Sequence, residues 1–217
     1  MMFEKIFPKV HPEGYKFLII STIITLILLS ISGFFGLIFI FITIWVYYFF
    51  RDPERVIIED QDYLVSPADG RISSIKEVKG PVELGLDNKK FTRVSIFMNV
   101  FDCHVNRSPS DGEIEEIFYK PGKFLNASLD KASEENERNF FKIKDYSTNE
   151  NIIIVQIAGL IARRIVTQVQ KSQKIKQGER LGMIRFGSRV DIYFSQRKTM
   201  VKVGQNVIAG ESLIARK

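Results

Sequence analysis

The chain has 217 residues, a formal net charge of +6, two histidines and one cysteine. A single cysteine excludes an internal disulfide framework and any multi-cysteine metal site. The basic residues form no stripe interleaved with aromatic side chains, and no motif has metal-ligand spacing, so neither a nucleic-acid-binding nor a metal-dependent protein is indicated.

An uncharged apolar run dominates the N-terminal part of the chain. Residues 17–50 are 34 consecutive uncharged residues, flanked by Lys16 and Arg51. One helix of that length would measure about 50 Å, well beyond a hydrocarbon core of about 30 Å. Ser30, Ser32 and Gly33 offer a break near the middle, so we predict a helical hairpin that dips into the inner leaflet or just spans the membrane, with one long tilted helix as the alternative. Positive residues at both ends predict that both ends lie on the cytoplasmic side of the cell membrane.

The remaining sequence predicts one β-rich domain. We assign residues 1–16 to an N-terminal tail, 17–50 to the hairpin and 51–217 to a domain large enough for its own core. Short runs rich in β-branched and aromatic residues indicate strands: GRISSIKEV, TRVSIFMNV, EIEEIFY, NIIIVQIAG, RRIVTQV, RVDIYF and TMVKV. The continuously apolar NIIIVQIAG indicates a strand covered on both faces. The charged segment 129–139 is predicted to be a loop or a short surface helix.

Two glycine turns narrow the fold class to a β-rich α+β domain of the barrel-sandwich type. IKQGERLGMI and VKVGQNVIAGESLI each place a glycine turn after a short strand. This spacing recurs in barrel-sandwich domains such as the lipoyl and biotinyl carriers. Neither turn carries the lysine tripeptide of those carriers, so a carrier function is not indicated.

Three polar stretches follow predicted strands: SPADG, FDCHVNRSP and RFGSR. Asp69 and Gly70 are typical turn residues, and a turn is the alternative to a functional role for Asp69. His104 is the only histidine after the apolar run. It is therefore the candidate for acid–base chemistry near neutral pH, with a structural core histidine as the alternative.

These stretches carry a resemblance to a known family. FRDPER, SPADG, FDCHVNRSP, PGKFLNASLDKASEENER and GMIRFGSRVDIYF, in this order and spacing, resemble the short bacterial form of the phosphatidylserine decarboxylase proenzymes. The similarity runs from about residue 11 to the end of the chain. It implies an enzyme of phospholipid biosynthesis that cleaves itself and makes its own prosthetic group.

The resemblance implies specific roles for five residues. The Ser188 hydroxyl attacks the Gly187 carbonyl, and cleavage between them yields chains 1–187 and 188–217, which remain associated. Ser188 becomes a pyruvoyl group whose ketone forms a Schiff base with the phospholipid's serine headgroup; loss of CO2 then gives phosphatidylethanolamine. His104 transfers a proton, Asp69 supports self-cleavage, and Arg138 binds a carboxylate or phosphate. The implied partners are the phospholipid and the membrane; a homo-oligomer is compatible with the sequence.

The sequence departs from the longer family members at one residue of interest. Those members have a second histidine three residues after the first, and it acts with the aspartate and the serine in self-cleavage. Here Arg107 occupies that position, and an arginine stays protonated and is a poor base. The group that deprotonates Ser188 is therefore left open. The alternative functions are a non-catalytic membrane-anchored barrel-sandwich adaptor and a family member that no longer cleaves itself.

Overall fold

The computed structural model describes residues 7–124, 135–159, 164–185 and 188–217, with only the backbone described at Ser188. The chain divides into two compact units, Met1–Glu54 and Arg55–Lys217.

The first unit contains two apolar helices. Helix α1 is Tyr15–Ile31 and helix α2 is Gly33–Phe49, and the extended backbone of Ser32 separates them. The predicted break is confirmed, and the alternative of one long helix is wrong. Each helix of 17 residues is about 25 Å long at 1.5 Å per residue.

Hydrogen bonds hold the two ends of this hairpin together. The His11 N–H donates to the Phe50 carbonyl over 2.8 Å, and the Asp52 N–H donates to the Lys9 carbonyl over 2.7 Å. The chain therefore enters and leaves the hairpin at the same end. The stretch Pro12–Ile31 is long and apolar enough to cross a membrane, and only 17% of it is buried, unlike the core helix of a globular protein.

The second unit is built almost entirely of strands. Its strands are β1 (Tyr63–Val65), β2 (Gly70–Lys79), β3 (Lys90–Met98), β4 (Val105–Arg107), β5 (Gly112–Lys120), β6 (Arg138–Asp145), β7 (Asn151–Ile157), β8 (Ile165–Thr167), β9 (Lys174–Ile175), β10 (Arg180–Ile184), β11 (Ser188–Phe194), β12 (Lys198–Thr199), β13 (Asn206–Val207) and β14 (Leu213–Arg216). An eight-stranded sheet has the order β13-β2-β3-β11-β7-β6-β5-β9. Two three-stranded sheets, β1-β14-β12 and β4-β10-β8, complete the unit. The β-rich fold preceded by apolar helices is as predicted.

The central strands of the large sheet are buried on both faces, because they carry apolar residues at successive positions. In β7, Ile152 and Ile154 belong to the larger core, whereas Ile153 and Val155 belong to a smaller core on the opposite face. The prediction that NIIIVQIAG is covered on both faces is confirmed. Hydrophobic burial of this strand holds β11 beside it in the middle of the sheet.

Two local predictions differ from the structure. TMVKV is not a strand of its own: the short β12 ends at Thr199. In the charged segment 129–139, residues 129–134 lie outside the described residues, but β6 already begins at Arg138. Pairing with β5 and β7 explains this strand, because cross-strand hydrogen bonds outweigh the polar local sequence.

Candidate active site

Ser188 is the first residue of β11, the fourth strand of eight in the large sheet. Its backbone lies opposite Met98, the last residue of β3, and the register continues without interruption to Phe194 opposite Thr92. From Arg189 onward, β11 also pairs with β7 on its other side. The proposed cleavage partner Gly187 lies outside the described residues. The start of β11 is thus held between two long strands.

Backbone hydrogen bonds bring the three polar stretches of the sequence to one region. The Arg107 N–H donates to the Pro67 carbonyl over 2.9 Å, which joins FDCHVNRSP to SPADG. The Ile184 N–H lies 3.3 Å from the His104 carbonyl, which joins the same block to the strand that precedes RFGSR. The residues joined by these contacts are distant in sequence. The sequence showed only that each polar stretch follows a predicted strand, and not that the stretches meet.

Asp69 lies in a cleft at the end of the large sheet. The cleft has a volume of ≈ 460 Å³, and its lining includes Asp69, Phe97, Asp102 and Asn206. Phe97 immediately precedes Met98, the register partner of Ser188. The cleft is therefore lined by the residue next to the register partner of the candidate nucleophile.

Gly70 is required for this arrangement. Its φ is +145°, and a Cβ at this position would lie 2.2 Å from the carbonyl oxygen of Phe97. No other residue type fits such a close approach of two backbones. The glycine lets β2 begin against β3 directly after Asp69, and this close pairing fixes the aspartate at the cleft.

Arg55 forms the main contact of Asp69. Its Nη2 donates to Oδ2 over 2.7 Å and to Oδ1 over 3.0 Å, and the Ala209 N–H donates to Oδ1 over 2.8 Å. Burial alone would lower the pKa of Arg55, but the charge and hydrogen bond of Asp69, with smaller contributions from nearby groups, raise it overall. The side chain of Asp69 is consequently held in one orientation by Arg55 and the Ala209 N–H.

His104 is fully buried, and its ring orientation is set by a neighbour. Its Nδ1 lies 2.9 Å from the backbone carbonyl oxygen of Asp102. A carbonyl oxygen only accepts hydrogen bonds, so Nδ1 carries a proton, and in a neutral ring Nε2 is the unprotonated nitrogen. This tautomer leaves Nε2 as the atom that can accept a proton.

Two arginines flank the candidate site without acting as bases. Arg107, at the position of the second family histidine, donates from Nη1 to the carbonyl oxygen of Gly178 over 2.8 Å. Burial lowers the pKa of Arg185, which lies three residues before Ser188, yet a guanidinium stays charged in proteins. Both side chains therefore supply positive charge and not proton acceptance.

Arg138 begins β6 opposite Ile157 of β7, and Ile157 lies opposite Arg189 of β11 on its other side. Its Nη2 is 2.9 Å from Oε1 of Glu83, which also accepts from Lys120 over 3.0 Å. Burial alone would raise the pKa of Glu83, but these two cations and a backbone hydrogen bond hold it below its usual value. Among the described residues that line the Asp69 cleft, Arg138 does not occur. Its predicted role in binding substrate stays a prediction.

Sequence reasoning missed two features of the site. It used FRDPER only as one block of the family resemblance, whereas Arg55 of that block is the partner of Asp69. It also passed over Gln156, a polar residue within an apolar strand, whose Nε2 donates to Oδ1 of Asn106 over 2.8 Å. A polar residue inside a buried strand requires a buried partner, and that was the available signal.

The arrangement suits acyl transfer and proton transfer without a metal-ligand cluster. A serine follows a glycine at the start of a strand in the middle of the sheet, and the cleft lined by Phe97 contains Asp69 paired with Arg55. The backbone carbonyl of His104 is hydrogen-bonded to the strand that precedes this junction. Among the part of the chain that the structure describes, no three His, Cys, Asp or Glu side chains form a group that could hold a metal ion.

Comparison with known proteins identifies close relatives. The family model for phosphatidylserine decarboxylase matches residues 42–215. The chain is 64% identical over 216 residues to a phosphatidylserine decarboxylase proenzyme of Pelagibacter ubique (strain HTCC1062), covering 100% of both chains. It is 51% identical over 206 residues to the proenzyme of that name from Ruegeria pomeroyi, covering 94% of each chain. The proenzyme from Azorhizobium caulinodans is 52% identical over 207 residues, covering 95% of this chain and 88% of the relative.

Proposed function

Because the chain belongs to the phosphatidylserine decarboxylase family, we propose that it is a self-processing proenzyme that converts phosphatidylserine into phosphatidylethanolamine and CO2. The observation that carries the proposal is the position of Ser188 at the start of the central strand β11, beside the cleft that contains Asp69. The non-catalytic adaptor has no comparable support, because a scaffold needs no Gly-Ser junction beside such a cleft.

Self-cleavage begins at the Gly187–Ser188 junction. The Ser188 oxygen attacks the Gly187 carbonyl carbon as its proton leaves to a base, and the carbonyl electron pair moves to oxygen. Collapse of this oxyanion breaks the C–N bond, the nitrogen takes a proton, and an ester results. Loss of the Ser188 α-proton then expels the Gly187 carboxylate and leaves dehydroalanine. Tautomerisation and addition of one water release ammonia and produce the pyruvoyl group.

The residues present fit a pyruvoyl group at position 188. Its precursor is a serine whose backbone pairs with β3, and the next residue, Arg189, pairs with both β3 and β7, so that a group at a new chain terminus would remain held at the end of the sheet. The group supplies an electron sink for the pair released as CO2 leaves the serine headgroup.

The chain's own side chains orient the substrate and move protons. We assign proton transfer to Nε2 of His104, the ring atom left unprotonated by the Asp102 contact. Asp69, held by Arg55 and lining the cleft, presents fixed oxygens that can accept a hydrogen bond from the substrate's amine. Arg138 is assigned to carboxylate or phosphate binding, as the family resemblance implies, and its ion pair with Glu83 provides the test described below.

The two products of cleavage remain one enzyme. The 188–217 chain supplies β11 to the middle of the large sheet, β13 to its edge, and β12 and β14 to a second sheet. Separation would expose Val190, Ile192 and Phe194, all fully buried. Hydrophobic burial and the two ladders of hydrogen bonds therefore keep the chains together after cleavage.

We assign the enzyme to the cell membrane with its strand-rich unit on the cytoplasmic side. The apolar hairpin enters and leaves at one end, and Lys9, Lys16 and Arg51 cluster in the sequence at its boundaries. Cationic flanks favour the cytoplasmic face and attract anionic lipid headgroups. Protease accessibility in inverted and right-side-out vesicles tests this orientation.

The proposed function is tested by intact mass spectrometry and a decarboxylation assay. Purified protein should consist of chains 1–187 and 188–217, the latter with the mass of an N-terminal pyruvoyl group, and should release CO2 from phosphatidylserine vesicles. Ser188→Ala should remain one inactive chain, because alanine has no nucleophile and no leaving group. Ser195→Ala, a serine of the same small chain that contacts Glu150, is the matched control and should process normally. An intact wild-type chain that releases no CO2 would exclude the proposal.

A further inference from the structure

A positively charged side chain in the Asp69 cleft has hydrogen-bond donors that the fold leaves unused. Arg71 lines this cleft together with Asp69, and Nε of Arg71 donates to the carbonyl oxygen of Gly204 over 2.9 Å. Within the described part of the chain, Nη1 and Nη2 of Arg71 have no hydrogen-bond partner, and the side chain forms no ion pair. The four N–H groups on these two nitrogens therefore remain available to a ligand.

The turn that contains Gly204 positions this guanidinium. Gly204 has a φ of +90°, and a Cβ at this position would lie 3.3 Å from Nη2 of Arg71, so the glycine permits their close approach. The Gly204 N–H donates to the Ile72 carbonyl over 2.8 Å, and the Ile72 N–H donates to the Gln205 carbonyl over 2.9 Å. These bonds hold the turn against β2, and the turn holds Arg71 through its Nε.

The two carboxylates that line the cleft already have partners. Asp69 pairs with Arg55, and Oδ2 of Asp102 accepts from the N–H and from Nδ2 of Asn99 over 2.8 and 2.6 Å. Among the described residues that line the cleft, Arg71 alone carries a positive charge. An anionic group that enters the cleft therefore has Arg71 as its cationic partner.

The exposure of the residues around the cleft matches the order of chemical groups along a phospholipid. The side chain of Asp69 is 12% exposed, whereas Arg71 is exposed and the apolar lining residue Ile208 is 42% exposed. Phe101, in the turn between two lining residues, is 60% exposed. A lipid whose serine headgroup reaches Asp69 would place its phosphate at Arg71 and its acyl chains beyond, at these apolar side chains.

We propose that Arg71 binds the phosphate of phosphatidylserine and thereby positions the serine headgroup in the Asp69 cleft. A guanidinium can present two parallel N–H donors to a phosphate, and such charge-assisted pairs are stronger than neutral hydrogen bonds. Arg71 acts by binding the substrate and not by moving a proton, because a guanidinium stays protonated. This inference rests on the proposed function and adds a substrate-binding residue to it.

Three substitutions separate the charge of Arg71 from its contact with the turn. Arg71→Gln removes the positive charge, whereas Arg71→Lys keeps the charge but loses the Nε contact with Gly204. Lys79→Gln is the matched control, because Lys79 is an exposed cation of the same strand and lies outside the cleft. Intact mass spectrometry and thermal unfolding should show that all three variants self-cleave and fold like wild type.

Decarboxylation of dihexanoylphosphatidylserine by the processed full-length enzyme measures substrate binding. Arg71→Gln should raise KM by about tenfold or more and leave kcat within about twofold, because charge-assisted hydrogen bonds to the bound substrate are lost. Arg71→Lys should keep KM within about threefold of wild type, because a lysine also binds phosphate. Lys79→Gln should match wild type.

Competitive inhibitors identify the substrate group that Arg71 binds. Glycerophosphoethanolamine has the phosphodiester but no carboxylate, whereas L-serine has the carboxylate but no phosphate. Arg71→Gln should raise the Ki of glycerophosphoethanolamine by the same factor as KM and leave the Ki of L-serine unchanged. Inorganic phosphate should inhibit wild type more weakly than glycerophosphoethanolamine, which distinguishes a lipid-headgroup site from a site for free phosphate.

Several results would overturn the inference. These are an unchanged KM in Arg71→Gln, equal impairment of Arg71→Lys and Arg71→Gln, failure of Arg71→Gln to fold, a raised Ki for L-serine alone, or stronger inhibition by inorganic phosphate.

Failure of the proposed function would be recognised separately. If wild type releases no CO2, that function is excluded, and titration calorimetry of dihexanoylphosphatidylserine with the uncleaved Ser188→Ala protein decides the inference. Binding should then be about tenfold weaker when Arg71→Gln is added. Equal binding with and without this substitution, or no binding to either protein, would overturn the role of Arg71.

Discussion

Arg55 and Asp69 form an ion pair in which a single guanidinium nitrogen lies 2.7 Å from one carboxylate oxygen and 3.0 Å from the other. Their side chains are only 11% and 12% exposed. The longer family members have a histidine in their aspartate's triad, but here the corresponding Arg107 contacts Gly178. The cation that accompanies Asp69 in this protein comes from the FRDPER block.

Breaking this pair should destabilise the fold and slow self-cleavage. Arg55→Gln leaves a carboxylate without its cation, and we expect a loss of about 2 kcal/mol, less than for a fully buried pair because the cleft admits water. Urea unfolding in the Ser188→Ala background gives the free energy of unfolding of each variant. A double-mutant cycle with Asp69→Asn then gives the interaction energy between Arg55 and Asp69. Strictly additive effects of the two substitutions would show that the pair makes no contribution.

His104 should be required for catalysis, whereas the other histidine should not. Without a proton acceptor at Nε2, His104→Gln should lower the decarboxylation rate by about 100-fold, the usual contribution of a general acid–base residue. Quantifying both chains and CO2 release assigns the defect to self-cleavage or to decarboxylation. His11→Gln, in the N-terminal unit, is the control and should change neither rate. Unchanged rates in His104→Gln would remove this residue from the mechanism.

Glu83 should make the protein sensitive to acid. Its pKa lies below the usual 4.5, so the ionised carboxylate stabilises the folded state fully above about pH 4.5, and this contribution disappears as the pH falls through the lowered pKa. Urea midpoints measured from about pH 7 to pH 3 should fall more steeply for wild type than for Glu83→Gln. Parallel curves for the two proteins would contradict the assigned pKa direction.

Arg138 can be tested for substrate binding through its partner. If Arg138 binds an anionic group of phosphatidylserine, Arg138→Gln should raise KM by about tenfold, whereas Glu83→Gln should lower KM or leave it unchanged, because the arginine is retained. A purely structural ion pair predicts that both substitutions reduce stability and change KM little. The KM values of the two processed variants therefore separate the two roles.

The cleaved chains should separate only on unfolding. Because β11 pairs with both β3 and β7, chains 1–187 and 188–217 should co-elute in detergent and dissociate only at the urea concentration that unfolds the sheet. Size-exclusion chromatography with intact mass detection across a urea series makes this measurement. Release of the small chain in buffer would contradict the central role of β11.

Features that depend on local chemistry followed from the sequence alone. Three such features are the break in the apolar run at Ser32, the strand character of NIIIVQIAG and the glycine turns. Each depends on the polarity and backbone freedom of neighbouring residues, which the sequence gives directly. The family resemblance and the Gly-Ser junction likewise indicated a self-cleaving decarboxylase. In each case the relevant residues are adjacent or regularly spaced along the chain.

The partners of the polar side chains were decided only by the tertiary structure. Which cation accompanies Asp69, which acid binds Arg138, and where the amide of Gln156 donates all depend on strands that are distant in sequence. Those contacts exist because β11 lies between β3 and β7 and because β4 pairs with β10. Local sequence specifies that a buried polar group needs a partner, but strand order determines which residue is close enough to provide it.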